Sequence, residues 1–437
     1  MKRIFIVVLS LTVFLMGALS SPLSAQWVQT NGPDGEGVLS LAASPNGAGG
    51  MNLFAGTSGT GLYLSTNDGT NWIQVDSGME QNHYGGTNYP VVYSIGTNPN
   101  GAGGATLFAG TYGNGVYLSN DNGTSWVPAD SGLASLSYTY FDAFAIIGAN
   151  LFVGANLNGV FLSTNNGATW TAVNSGMNNL YVQCLEAVGT SLFAGTADGV
   201  YLSTNNGTSW ASVDSGLPTP PSVFSFAEIP NGEGGTNLFA GTQTNGVFLS
   251  TNSGTSWTAV DSGLTNLYVE CVVAVGTSLF AGTYGNGVYL STNNGTRWTP
   301  VDSGLTDHYI SCFAVIGANL FAGTADNAVW MRPLSEMITT SVPQPRKDLP
   351  MQYALEQNYP NPFNPTTSIQ YALPRASYVK LTIYDILGRA VNVLVNGMQT
   401  PGYKSVSFNA SQLPSGVYLY RLQAENYTAT KKLLLVK

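Results

Sequence analysis

Charge is scarce in this chain. Asp, Glu, Lys and Arg make up 8% of its 437 residues, against about a quarter of an ordinary soluble protein. Residues 26–340 contain no lysine and only two arginines, Arg297 and Arg332, beside 19 acids. Nucleic acid is thereby excluded as a partner of that stretch, because phosphates demand a basic footprint. A helical bundle is excluded too, since helix surfaces are built from Lys, Glu, Arg and Ala. There are two histidines and three cysteines, with none of the clustering that a zinc site needs. Neither the phosphate-cradling glycine-lysine loop nor a nucleophile elbow occurs. No cofactor and no metal are expected. Disorder through excess charge is ruled out by a hydrophobic content of 44%.

What is present is the vocabulary of short strands and tight turns: Gly, Asn, Thr, Ser, Tyr and Val. Lys2 and Arg3 precede an apolar run from Ile4 to about Leu19, followed by small residues ending at Ala25. That three-part pattern predicts a secretory signal peptide over residues 1–25. No later segment could span a membrane as a helix. Residues 341–437 reverse the charge balance, with ten Lys plus Arg against four acids, so a domain boundary is expected near residue 340.

A repeat dominates the acidic part. Leu-Phe-Ala-Gly-Thr begins at Leu53, Leu107, Leu192, Leu238, Leu279 and Leu320, and a variant begins at Leu151. The seven units are about 40–55 residues apart, the size of a propeller blade with four strands. Alternation in Val-Tyr-Leu-Ser predicts a strand. A turn and a tryptophan follow, with Asn-Gly or Asp-Gly supplying positive φ for a tight hairpin. The Ser, Gly and Trp of these turns are Ser65, Gly69 and Trp72; Ser119, Gly123 and Trp126; Ser163, Gly167 and Trp170; Ser203, Gly207 and Trp210; Ser250, Gly254 and Trp257; Ser291, Gly295 and Trp298. The seventh unit lacks the turn-plus-Trp strand, and Trp27-Val28-Gln29-Thr30 supplies such a strand at the other end. Hence the expectation: a seven-bladed β-propeller over 26–335, closed by its N-terminal strand, which removes the open edge.

The segment Ser119–Trp126, with Asp121, resembles the Asp-box of sialidase-like (BNR-repeat) propellers. In that family the box stabilises a turn remote from the active face. A sialidase also needs three arginines to clamp a carboxylate, and this propeller has two, one of them (Arg297) in a box turn.

After a Pro-, Ser- and Thr-rich linker at 336–355, alternating segments predict about seven strands in 80 residues, a small Ig-like β-sandwich over 356–437. The run Asn358, Tyr359, Pro360, Asn361, Pro362, Phe363, Asn364, Pro365 reads as rigid and extended. Together with Gly388, Pro414, Gly416, Lys431 and Lys432 it resembles the type A sorting domain of the type IX secretion system. The resemblance implies passage to the periplasm, recognition by the type IX machinery, and delivery to the outer surface or the medium.

Cys184, Cys271 and Cys312 each lie eight residues before a Leu-Phe pair, and the corresponding inner-strand positions of the other units are Ser40, Ser94, Ala143 and Ser225. They read as small core residues near the ring axis, unpaired because strands in different blades lie too far apart to bridge.

The connections emerging opposite the box turns carry His83, Tyr84, Tyr112, Tyr140, Tyr181, Tyr268, Tyr284, His308 and Tyr309. Aromatic rings with Asn and Asp suit sugars, through stacking and hydrogen bonds. Equally, Tyr140, Tyr181, Tyr268 and Tyr309 share one repeat position, which also suits packing between blades. Two functions remain open from sequence. One is an exported, non-catalytic binding or scaffold propeller with a glycan or protein ligand. The other is a secreted polysaccharide hydrolase using two carboxylates among Asp142, Glu186, Asp198, Glu270, Asp307 and Asp326.

Overall fold

A computed structural model describes residues 26–33, 37–80, 89–100, 104–133, 136, 139–231, 235–325, 328–338, 350 and 352–436. The expected signal peptide, His83, Tyr84 and Asp326 lie outside the described residues. Residues 1–338 and 339–437 form two compact units.

The first unit is all β. Among the described residues it contains seven four-stranded antiparallel sheets. Blade 1 runs Val38–Pro45, Met51–Thr57, Leu62–Ser65, Ile73–Gln74, and the next five repeat that order. In blade 7 the chain supplies Ile310–Ile316, Asn319–Thr324 and Val329–Pro333, and the outer strand is Val28–Gln29, with Val28 opposite Met331 and Gln29 opposite Trp330. Each blade's first strand packs beside that of the next, and Ile310–Ile316 packs beside Val38–Pro45, so the sheets form a closed seven-bladed propeller. The outer strands are only two residues long and begin one residue after the tryptophan, rather than at it as expected. The indole is thereby freed to turn inward.

Two features of the repeat hold neighbouring blades together. The glycine of Leu-Phe-Ala-Gly-Thr faces the small first-strand residue in all seven blades, as Ser40 faces Gly56 and Cys184 faces Gly195. A Cβ on Gly56 would lie 2.6 Å from the Val92 carbonyl oxygen of the next blade, so only glycine permits that approach. The small residue often donates across the same junction: Ser94 Oγ to the Phe141 carbonyl at 2.5 Å, and Cys184 Sγ to the Val223 carbonyl at 3.5 Å. The three thiols are unpaired, and burial pushes each of them up, which leaves them inert.

The tryptophans tie the blades at the rim. Trp126 donates its indole N–H to the Val75 carbonyl of blade 1 and its backbone N–H to the Ser77 carbonyl. Trp170, Trp210, Trp257 and Trp298 repeat both bonds, and Trp27 closes the circle onto Val301 and Ser303 of blade 6. Trp72 departs from the pattern: it is half-buried, and its indole donates to Thr30 Oγ1 at 3.3 Å.

The turns before the tryptophans are built alike. Ser119 Oγ accepts the Gly123 N–H and donates to Asp121 Oδ1, which in turn accepts the Ser125 N–H. Asn takes the Asp121 place in the other five, as at Asn165. Asp68, Asn122, Asn166, Asn206, Ser253 and Asn294 adopt φ of 53–57°, and the glycines after them are also positive. Both central residues of a primed hairpin turn need that conformation.

The second unit pairs a three-stranded sheet (Ala354–Leu355, Thr366–Leu373, Gly402–Asn409) with a four-stranded one (Ala390–Gln399, Ser377–Tyr384, Gly416–Ala424, Tyr427–Leu435). Its core includes Phe363, Ile369, Leu381, Tyr420 and Leu433. The Pro-rich run is not the plain extended segment expected from sequence: the bonds before Pro360 and Pro362 are cis, and Tyr359 bridges Ser368. Both ends of the expected linker are structured. Met337 and Ile338 pack on the core of blade 7, and Ala354–Leu355 is a strand of the sandwich.

Candidate functional site

In an antiparallel blade, turns after the first and third strands share one face. Turns after the second strand, and the connections between blades, share the other. The Ser-to-Trp turns, Arg297 among them, therefore lie on one face and the tyrosine-bearing segments on the opposite one.

Each first strand opens with a β-bulge at this tyrosine face. The residue left without a cross-strand partner is Leu39, Tyr93, Asp142, Gln183, Phe224, Glu270 or Ser311. A bulge re-aims its side chain and recurs beside functional sites. Here seven unlike side chains stand at equivalent places around one end of the ring axis. The residue just before the strand is Tyr140, Tyr181, Tyr268 or Tyr309 in four blades. Its N–H is fixed by an acceptor two residues earlier: Asn179, Asn266 and Asp307 serve the last three.

The structure assembles the tyrosines into two groups. Around blades 5 to 7, Phe224 lies 5.6 Å from Tyr268, Tyr268 4.9 Å from Tyr284, and Tyr284 4.2 Å edge-on from Tyr309. Tyr284 is 52% exposed, so this chain of rings is offered to solvent at its third member. A cleft of about 720 Å³ adjoins it, lined by Leu39, Ser58, Tyr284, Asp307, His308 and Tyr309. A second cleft of about 440 Å³ shares Gly285 and His308 and adds Thr265 and Asn286. Around blades 2 and 3, Tyr140 stacks on Tyr112 at 4.5 Å and meets Tyr93 edge-on at 4.8 Å. The shared tyrosine position thus packs across blade junctions and also lines the open face. Tyr181 is half-buried and enters neither chain of close ring contacts.

The carboxylates divide. Asp198 accepts from Thr196 Oγ1 at 2.8 Å in the turn between strands, and Asp307 caps Tyr309. Glu270 accepts from Tyr309 Oη at 3.0 Å; burial raises its pKa, against the lowering effect of bonds from Tyr309 and Tyr268. Burial pushes Asp142 up to about 7, opposed by a bond with Asn156. Burial pushes Glu186 up to about 8, and nearby Glu228 adds to the rise. A carboxyl whose folded pKa lies above its unfolded value near 4 stabilises the fold fully only below that value. The contribution is then lost as pH climbs through about 7 and about 8. The propeller accordingly melts at a lower temperature at pH 9 than at pH 5. The double variant Asp142→Asn, Glu186→Gln flattens that difference in thermal melts; an undiminished difference would show that other groups control it.

Sequence reading passed over one recurring element. Asp or Asn, Ser, Gly follows the outer strand in blades 1 to 6, as at Asp76-Ser77-Gly78 and Asn174-Ser175-Gly176. Its serine carbonyl receives the tryptophan N–H of the next blade, and its glycine, at φ of about +92°, makes room for that tryptophan's carbonyl. Six copies at fixed spacing were the available signal. The bulge residues had none, since nothing in their chemistry repeats.

Residues 357–437 match the family described as secretion system C-terminal sorting domain. Its residues are tied into the sandwich: Asn361 Oδ1 accepts the Leu434 N–H, Phe363 bridges Leu435 and is buried, and Asn358 donates to the Pro360 carbonyl. Gly388 closes the Asp385 turn, Tyr418 Oη donates to the Pro414 carbonyl, Gly416 opens a strand, and Lys431 and Lys432 lie on the last strand. No curated protein sequence matches the chain.

Solved structures share the propeller fold. PorZ, a surface component of the type-IX secretion system of Porphyromonas gingivalis, aligns at a TM-score of 0.51 and 16% identity, over 88% of this chain and 58% of PorZ. The GH74 xyloglucanase of Xanthomonas campestris aligns at 0.53 and 14%, over 92% and 66%. The WD40 propeller of Doa1 aligns at 0.52 and 11%, over 70% and 96%. The chain thus spans about three fifths of PorZ. The sorting domain marks the chain for export to the cell surface or extracellular space, by way of the type IX machinery.

Proposed function

We propose that the propeller is a non-catalytic binding module whose tyrosine face takes up a glycan. Residues 1–25 carry the chain across the inner membrane, and the C-terminal domain delivers it outward. The observation that carries this reading is the chain of rings containing exposed Tyr284, beside a cleft whose polar lining includes Ser58, Thr306, Asp307 and His308. Ring faces take the C–H faces of sugars, and flanking amides and carboxylates take hydroxyls. The remaining cations of the propeller are elsewhere: Arg297 is in a turn on the far face, and Arg332 is buried, donating to the Val301 carbonyl.

A second reading has one observation in its favour. Asp142 and Glu186 stand in adjacent blades with raised pKa values, and a carboxyl protonated near neutrality can act as a general acid in glycoside hydrolysis.

One experiment separates the two: incubate the purified propeller with a panel of bacterial and plant glycans, then measure both binding and released reducing ends. Binding without product is expected, and Tyr284→Ala weakens it about tenfold, within the usual worth of a stacked aromatic. Turnover that disappears in Asp142→Asn establishes the hydrolase instead.

A further inference from the structure

The two tyrosine groups are placed with respect to each other by the ring itself. Tyr112 follows the second strand of blade 2 and bridges Tyr140, just before the first strand of blade 3; Tyr284 follows the second strand of blade 6 and bridges Tyr309, just before the first strand of blade 7. Both pairs occupy the same repeat positions. Among the described residues these are the two blade junctions where such a bridge forms. At the other five junctions the corresponding pairs are Ser58 with Val91, Asn156 with Tyr181, Ala197 with Ser222, Gln243 with Tyr268, and Ala325 with Gly37. Going round the ring, the two bridged junctions are four blades apart one way and three the other. In a seven-bladed ring that is as close to opposite as two junctions can be. With packed sheets about 10 Å apart, seven of them make a circle roughly 20 Å across at this radius.

We infer that the ligand is a neutral polysaccharide chain laid across the mouth of the channel and held at both tyrosine pairs, rather than a single sugar held at one. This rests on the glycan-binding reading above and adds its geometry. A linear polymer can engage both pairs at once, and its second contact is then intramolecular, so affinity rises steeply once the chain is long enough to span. Neutrality follows from charge. Residues 26–340 have no lysine, Arg297 lies in a turn on the far face, and Arg332 is buried and donates to the Val301 carbonyl. An anionic polymer finds no cation on this face to pair with its charges. A basic peptide is disfavoured because burial holds the Asp142, Glu186 and Glu270 carboxyls toward their neutral forms, and the tyrosine pairs themselves offer ring faces.

The test uses the full chain and graded ladders of neutral glucan, mannan, galactan and xylan oligosaccharides, with a uronate ladder and a lysine-rich peptide beside them, in titration calorimetry. For the ladder that binds, short members are expected to fill two sites per protein. Members long enough to span are expected to bind one per protein, at least tenfold more tightly. Tyr284→Ala, and separately Tyr112→Ala, abolish that step and leave one site for short members. The stoichiometry change in the unmodified protein stands even if Tyr112→Ala fails to fold. One site at every length, or affinity independent of length, overturns the spanning geometry while leaving glycan binding intact. Preference for the uronate ladder or the peptide overturns the neutral-chain assignment. Binding to no ladder overturns both this inference and the reading beneath it.

Discussion

Replacing Trp27 with alanine lowers the melting temperature of the propeller by roughly 10 °C, and deleting residues 26–31 lowers it further. The indole is 1% exposed and donates to the Val301 carbonyl at 2.7 Å. Truncating a buried tryptophan costs about 3–5 kcal/mol, which in a domain this large corresponds to a shift of that order. The segment joins three blades. Trp27 bonds to blade 6, Val28 and Gln29 pair within blade 7, and Asn31 donates to the Gly69 and Thr70 carbonyls of blade 1. Arg332 converges on the Val301 carbonyl from the blade 7 side. Without the segment, Val329–Pro333 becomes an unpaired edge, which invites association with other chains. Differential scanning calorimetry with light scattering measures both effects. An unchanged melt in the deletion would mean that the ring does not depend on its N-terminal clasp.

Gly176→Ala is the second large effect. Gly176 holds φ of +92°, and a Cβ there would lie 2.2 Å from the Trp210 carbonyl oxygen. That atom is backbone and cannot swing aside. Relieving the clash means separating blade 3 from blade 4 and straining the bonds from Trp210 to the Ser175 and Val173 carbonyls. The expected cost exceeds about 4 kcal/mol, the range of severe single substitutions. Gly189→Ala is the control: it also holds a positive φ, +62°, but meets nothing within 4 Å, so only the backbone penalty of about 1–2 kcal/mol applies. Chemical denaturation of the two variants separates contact from conformation. Equal losses would show that the blade-to-blade approach at Gly176 is not tight.

Much of the fold was legible because each blade repeats the same solution. Position in the repeat exposed Ser40, Ala143 and Cys184 as equivalents despite their different chemistry, and the register then shows each of them facing the glycine of the second strand. The missing outer strand of the seventh unit pointed to Trp27 for the same reason. The site was less legible. Tyr140, Tyr181, Tyr268 and Tyr309 repeat, so they could be picked out, but repetition alone could not tell which of them would gain a partner. Tyr112 and Tyr284 decide that, and they recur at only two of the seven junctions. The bulge residues Asp142 and Glu270 were visible as acids, not as positions re-aimed toward the ring axis. The Pro-rich run of the sorting domain bends between its bridges to Ser368 and Leu435 instead of running extended, and the Leu435 partner lies too far along the chain for local sequence to reveal.

The sequence alone determined what is local or periodic: short strands, positive-φ turns, the number of blades, the small residue at one position of each first strand, and the reversal of charge past residue 340. Those follow from steric limits on one residue or from a pattern repeated often enough to average out exceptions. Only the tertiary structure decided which side chains meet across the ring, because residues far apart in the chain become neighbours, or opposites, through closure. Tyr309 Oη reaching Glu270, Tyr284 beside Tyr309, and the tyrosine pairs on opposite sides of the channel depend on where seven sheets come to rest around one axis.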